Sequence, residues 1–355
     1  MFLVVSIALT AILLSLVHPI VVAISTPTDA VSGTVTYLTI CFIGIPFITS
    51  YNIISSIFRG LGDSKSPMCF IATACAANIA LDYLFMGVLH LGPAGAALGT
   101  TLSQAISVVV SLTVILKRRS IVLKKSDFKP CRAVMGKILG IGIPIAFQDG
   151  LIQVAFIIIT IIANQRGLND AAAVGIVEKV ISFLFLVPSS MLSTVSALGA
   201  QNIGAGKPER AIQTLRYAVM LAAGFGVLAS IAIQFTAEGI VSLFTDPSTA
   251  DGAAVVRFGG QYLRGYIFDC IFAGIHFSFS GFFCACRKSG LSFLHNILAI
   301  VLMRVPGVYV TSKLFPATLL PMGLATAAGS LLSVVICLIA FGVIRRKSTL
   351  VLVEE

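Results

Sequence analysis

Ten stretches of about 20 mostly apolar residues, set apart by glycine, proline and charged clusters, make up most of this sequence. They fall at 3–24, 36–58, 68–89, 95–116, 138–164, 172–199, 217–244, 258–284, 291–313 and 323–344. At 1.5 Å per helical residue, each is long enough to cross the ~30 Å hydrocarbon core of a bilayer. The chain is 57% hydrophobic and only 11% charged, whereas soluble domains carry about 25% charged residues. With 14 acids and 24 bases it cannot clothe a water-facing surface. Transmembrane β-strands alternate over segments of about ten residues, but 152–163 and 331–344 are continuously apolar. The expected fold is all-α, a polytopic transmembrane helical bundle.

The net charge of +10 raises the possibility of nucleic-acid binding, and the positions of the bases decide against it. Of the 24 lysines and arginines, 18 lie in alternate connections: after the second, fourth, sixth, eighth and tenth stretches. The 117–137 segment holds eight of them, whereas the opposite connections hold only Arg166 and Lys313. This is the positive-inside asymmetry. It predicts an inner (cytoplasmic) membrane protein with both termini in the cytoplasm. Bases dispersed over five turns without interleaved aromatics make no nucleic-acid patch. The eight cysteines (41, 69, 75, 131, 270, 284, 286, 337) sit mostly in apolar runs and read as small buried hydrophobes.

Residues 91–120 align with 319–348 at one shift of 228, Pro93 with Pro321 and Gly95 with Gly323. Tyr37-Leu38 and Tyr262-Leu263 correspond at a shift of 225. Both copies end in a basic triplet and serine, so they run in the same direction, as two parallel pseudo-symmetric lobes around a central cleft. The expected division is 1–120 for an N-terminal lobe of four helices, 121–137 for a basic cytoplasmic linker and 138–355 for a C-terminal lobe of six. The fifth and sixth stretches have no counterpart ahead of the first. Met1 also runs straight into apolar sequence without a basic leader. The chain therefore reads as short by two N-terminal helices; a complete ten-helix protein is the alternative.

The four histidines (18, 90, 276, 295) fall in no metal-ligand spacing. Gly204-Ala-Gly206-Lys207-Pro208 misses the phosphate loop, because Gln201 stands where glycine is needed and proline follows the lysine. No catalytic anchor, cofactor or ATP site is expected. Carboxylates within apolar stretches carry the chemical signal, since each costs about 2.5–3.5 kcal/mol at a helix centre. Asp269 follows Tyr266 by three residues, which puts carboxyl and phenol on one helix face, able to hold H⁺ or Na⁺. Its bland reading is a structural hydrogen bond or a partner for Arg264. Asp149, beside Gln148 and five residues after Pro144, makes a second candidate cation site if the proline opens the first turn of its helix. Glu178, next to Lys179, reads as a structural pair across helices. Asn78 and Asp82 share a face at i, i+4. Prolines 46, 144, 188 and 306 predict kinks; Gly95, Gly99, Gly323 and Ala327 predict close helix packing.

The segments Phe58-Arg-Gly-Leu-Gly-Asp63-Ser-Lys-Ser-Pro67-Met68, Asn78-Ile-Ala-Leu-Asp82-Tyr83, Gly95-Ala-Ala97 and Gln201-Asn202-Ile-Gly204-Ala-Gly206-Lys207-Pro-Glu-Arg210 together resemble the bacterial branch of the multidrug and toxic compound extrusion (MATE) family. The resemblance implies twelve helices in two six-helix lobes, hence 4 + 6 here. It also implies a secondary antiporter that exchanges H⁺ or Na⁺ for small amphipathic, often cationic, drugs. Such a protein works as a monomer in membrane lipid, without further cofactor. The family's first helix usually carries an acidic coupling residue, which this sequence lacks. Its seventh-helix carboxylate has no clear match, Ile152 standing near that place. The stretch holding Asp269 corresponds to the family's cation-site helix ten. Two alternatives stay open: a lipid-linked oligosaccharide flippase, supported by Arg257, Arg264 and Arg304, and a non-transporting membrane fragment.

Overall fold

A computed structural model describes residues 2–23, 28–118 and 131–346, and among them all regular structure is helical. The chain forms two compact units, Met1–Met135 and Gly136–Glu355. The first holds α1 (Phe2–Ser15), α2 (Val17–Ala23), α3 (Thr28–Gly60), α4 (Lys65–Asp82), a π-helical turn Tyr83–Val88 and α5 (Gly92–Arg118). The second holds α6 (Arg132–Asn164), α7 (Leu168–Leu184), α8 (Leu186–Gly204), α9 (Pro208–Ser242), α10 (Ala250–Tyr266) and α11 (Phe268–Ala285). It is completed by α12 (Ser289–Ala299), a π-helical turn Ile300–Arg304, α13 (Val305–Leu314) and α14 (Leu320–Arg346). Nine helical segments among the described residues are long and apolar enough to cross a membrane, and they coincide with nine of the ten expected stretches. The stretch 3–24 falls on α1 and α2, except Ile24, which lies outside the described residues together with most of the basic 121–137 linker.

Helix α9 shows which solvent the surface is built for. Its buried face is mostly small, with Ala211, Ala218, Ala222, Gly226, Ser230 and Ala237 alongside Leu215, Ile233 and Val241, whereas Leu228, Ile231 and Phe235 point outward, Phe235 at 83% exposure. A buried face rich in small residues and large apolar ones outside depart from the pattern of a water-soluble helix and suit lipid. The cysteines follow the same logic and correct the expectation of burial. Cys270, Cys284 and Cys337 are buried, but Cys69, Cys75 and Cys131 are exposed, because an apolar surface leaves no reason to hide a thiol.

Proline sets most of the departures from ten straight helices. A proline ring clashes with the carbonyl four residues upstream and offers no N–H to it. Pro19 accordingly stops α1 at Ser15, and Pro188 stops α7 at Leu184. Pro306 follows the π turn Ile300–Arg304. Where the helix runs on through proline, the freed carbonyl finds another donor. In α3, Pro46 leaves the Phe42 carbonyl to the Thr10 hydroxyl at 3.2 Å. In α6, Pro144 leaves the Gly140 carbonyl to the Ser289 hydroxyl at 3.2 Å.

The repeat is visible in local geometry. α5 and α14 are each 27 residues long and end at aligned positions, Arg118 and Arg346. Three helix ends close in the same way, by a backbone bond spanning five residues with a left-handed residue inside it. They are Asp63 N–H to Phe58 at 2.9 Å, Lys207 to Asn202 at 2.8 Å and Lys288 to Phe283 at 2.7 Å. The left-handed residue is Gly62, Gly206 and Arg287, with φ of 88°, 70° and 56°. The Asp63 carboxylate then accepts from the N–H groups of Lys65 and Ser66 at 3.1 and 3.0 Å, which starts α4. Close packing falls where small residues predict it: a Cβ on Gly99 would overlap the Asp82 carboxylate, and one on Gly323 the Tyr262 carbonyl.

Candidate functional site

The expected helix through Tyr266 and Asp269 is present as one span, Ala250–Ala285, in which α10 passes into α11 at Ile267 through a locally tightened turn with helical backbone angles. No proline lies at this turn. Two side chains of α9 bond to carbonyls beside it, the Gln234 amide donating to that of Arg264 at 3.0 Å and the Ser230 hydroxyl to that of Ile267 at 3.4 Å. Asp269 lies in the turn after Ile267, within this span, and is fully buried.

Tyr266 and Asp269 still act together, through a base from another helix. The π turn delivers Arg304, whose Nη2 donates to the Tyr266 hydroxyl at 2.7 Å and lies 3.4 Å from the Asp269 Oδ2. The guanidinium also lies 5.2 Å from the ring centre of Phe156 and 5.8 Å from that of Tyr266. Asp269 Oδ1 and Arg304 Nε have no hydrogen-bond partner. Arg264, the partner considered from sequence, is engaged elsewhere, paired with Glu238 at 3.0 Å and donating through Nε to the Gln234 carbonyl at 3.2 Å. Glu178 stands within electrostatic range of Arg304 and accepts from the Thr160 hydroxyl at 3.4 Å; Lys179 points to the exposed side.

Beside Arg304 lies a cavity of about 60 Å³, lined on its polar side by His276, Asn296, Ser330 and Ser333. It has room for a few waters, well short of the 300–1,000 Å³ of a drug pocket. The structure also joins two histidines that the sequence left apart, the His276 and His295 rings lying 5.5 Å from each other. His295 is held between Ser280 at 2.9 Å and Ser333 at 3.1 Å, while Nδ1 of His276 has no partner. No sequence spacing pointed to this pair. The available hint was polar residues, Ser280, His295 and Ser333, within otherwise apolar stretches.

The Asp149 expectation needs correction. Helix α6 begins at Arg132, so Pro144 lies in its interior rather than at an open first turn, and the one carbonyl it frees is taken by Ser289. Asp149 is exposed and has no side-chain hydrogen bond among the described residues, while Gln148 is buried and accepts from Ser292 at 2.7 Å. In the first unit, Asn78 and Asp82 lie on α4, where Asn78 Nδ2 and Asp82 Oδ1 are buried without partners. Among the described residues no group of three or more His, Cys, Asp or Glu could hold a metal ion.

Comparison with known proteins bears on this architecture. The MatE family model matches residues 1–84 and 144–310. The probable multidrug resistance protein YpnP of Bacillus subtilis is 30% identical over 306 residues, covering 86% of this chain and 66% of that protein. A second probable multidrug resistance protein of B. subtilis, YoeA, is 29% identical, covering 62% of this chain and 49% of its own length. The chain thus spans about half to two thirds of the length of these curated relatives. Among solved structures, a variant of the Vibrio cholerae MATE transporter VcmN has the same fold, with a TM-score of 0.90 at 15% identity over 98% of this chain and 78% of that one.

Proposed function

Because the chain belongs to the MatE family, we propose that this multi-pass membrane protein is a secondary active efflux transporter that exchanges H⁺ or Na⁺ for small amphipathic or cationic compounds. The observation that carries this reading is the fully buried Asp269, tied to Arg304 and Tyr266 beside a water-sized cavity. A buried carboxylate with one oxygen unpartnered is a place where a small cation can bind and be released. Asn78 and Asp82, also with unpartnered atoms, form a second candidate. The drug binds elsewhere, since the cavity holds only an ion or waters.

We take residues 1–120 and 138–355 as the two lobes of the exchange machinery, joined by the basic linker, with both termini in the cytoplasm. Single-cysteine labelling tests this orientation. In intact cells an impermeant maleimide should react with Ser248→Cys and spare Cys131; the reverse pattern contradicts it. The flippase alternative needs several bases lining a cavity; of its three arginines, Arg304 lines the cavity described, whereas Arg257 is exposed and Arg264 is paired with Glu238. Transport itself is tested in proteoliposomes with H⁺ and Na⁺ gradients imposed separately. A cationic dye should move against the driving gradient; no dye movement under either gradient contradicts the reading.

A further inference from the structure

We propose that Arg304 is a tethered counter-cation that closes the Asp269 site to Na⁺. The proposal rests on the efflux reading above and concerns which ion that site accepts.

A hard monovalent cation needs a cluster of oxygen ligands at short range. The oxygens gathered here are the two of Asp269, the Tyr266 hydroxyl and the Ser330 hydroxyl beside them. Arg304 Nη2 already engages the Tyr266 hydroxyl at 2.7 Å and lies 3.4 Å from Asp269 Oδ2. It therefore occupies the space between phenol and carboxylate that a sodium ion would fill.

The guanidinium is fixed there by more than charge. Phe156 and Tyr266 present ring faces to it at 5.2 and 5.8 Å. Opposite its stem stands Gly329, where a Cβ would come within 2.8 Å of the Arg304 Cβ, so glycine clears the place that the arginine backbone takes. An arginine cannot withdraw its charge by losing a proton. A second cation about 4 Å away meets a repulsion on the order of a thousandfold in affinity at an effective dielectric of ~20. Glu178, the other carboxylate in range, is hydrogen-bonded to Thr160 and offsets only part of this.

Saturable binding of radioactive ²²Na⁺ to the purified full chain in detergent tests the assignment without requiring transport. At physiological concentration wild type should show no Na⁺ binding that Asp269→Asn removes, any binding at Asn78 and Asp82 being unchanged by that substitution, and Arg304→Lys, which keeps a tethered cation, should behave alike. Arg304→Gln should gain saturable binding with an apparent affinity at least tenfold above the detection limit set by wild type, and the added change Asp269→Asn should abolish that gain. Wild-type binding that disappears in Asp269→Asn overturns the proposal, as does a folded Arg304→Gln that binds no Na⁺. If Arg304→Gln does not fold, the wild-type and Arg304→Lys measurements decide, since binding through Asp269 in either contradicts it. Failure of dye movement in proteoliposomes would count against the efflux reading instead.

Discussion

The hydroxyl of Ser289 donates to the carbonyl of Gly140 at 3.2 Å, the group that Pro144 deprives of its helical partner. Thr10 does the same for Phe42 above Pro46. Ser289→Ala and Thr10→Val should each destabilise by about 1 kcal/mol, read as a lower melting temperature in detergent. Once Pro144→Ala restores the helical N–H, Ser289→Ala should become nearly neutral. An undiminished loss in that background would show that the hydroxyl serves another purpose.

Arg287 holds a left-handed conformation, φ 56°, at a helix end where the two corresponding turns use Gly62 and Gly206. Arg287→Gly should therefore raise stability by up to about 1 kcal/mol, while Arg287→Ala should not. Equal melting temperatures for the two variants would contradict a backbone origin.

Gly323 packs directly on the α10 backbone, with no space for a Cβ beside the Tyr262 carbonyl and the Tyr266 N–H. Gly323→Val should abolish recovery of folded, monodisperse protein in size-exclusion chromatography. A normal elution profile would mean that α10 and α14 can separate at small cost.

Much of the fold is legible in the amino-acid sequence itself. The bilayer fixes the length of an apolar helix, so the spans stand out, and the repeat of Gly95 and Gly323 follows from the need for close packing. The breaks at Ser15 and Leu184 obey a simple rule, since each lies four residues ahead of a proline. The tightened turn at Ile267 leaves no such mark, since no proline follows it and the side chains bonded to its carbonyls come from α9, a different helix. Asp269, Tyr266 and Arg304 each stand out as polar residues in apolar runs, but nothing in the sequence marks Arg304 as the partner of the other two. A pairing across helices leaves no periodic trace, and a π turn shifts the register that would locate it.

Among the acidic candidates, the structure separates roles. Asp149 is exposed and without a side-chain hydrogen bond among the described residues, so Asp149→Asn should change stability by less than about 0.5 kcal/mol and leave efflux intact. Loss of efflux in this variant would return Asp149 to the coupling path.

Dye movement driven by an imposed ion gradient in proteoliposomes, compared between wild type and Asp269→Asn, tests the central claim most directly. Wild type should accumulate dye against the gradient, and Asp269→Asn should lose at least tenfold of that rate while eluting as a folded protein. Undiminished ion-driven transport in folded Asp269→Asn would contradict the account.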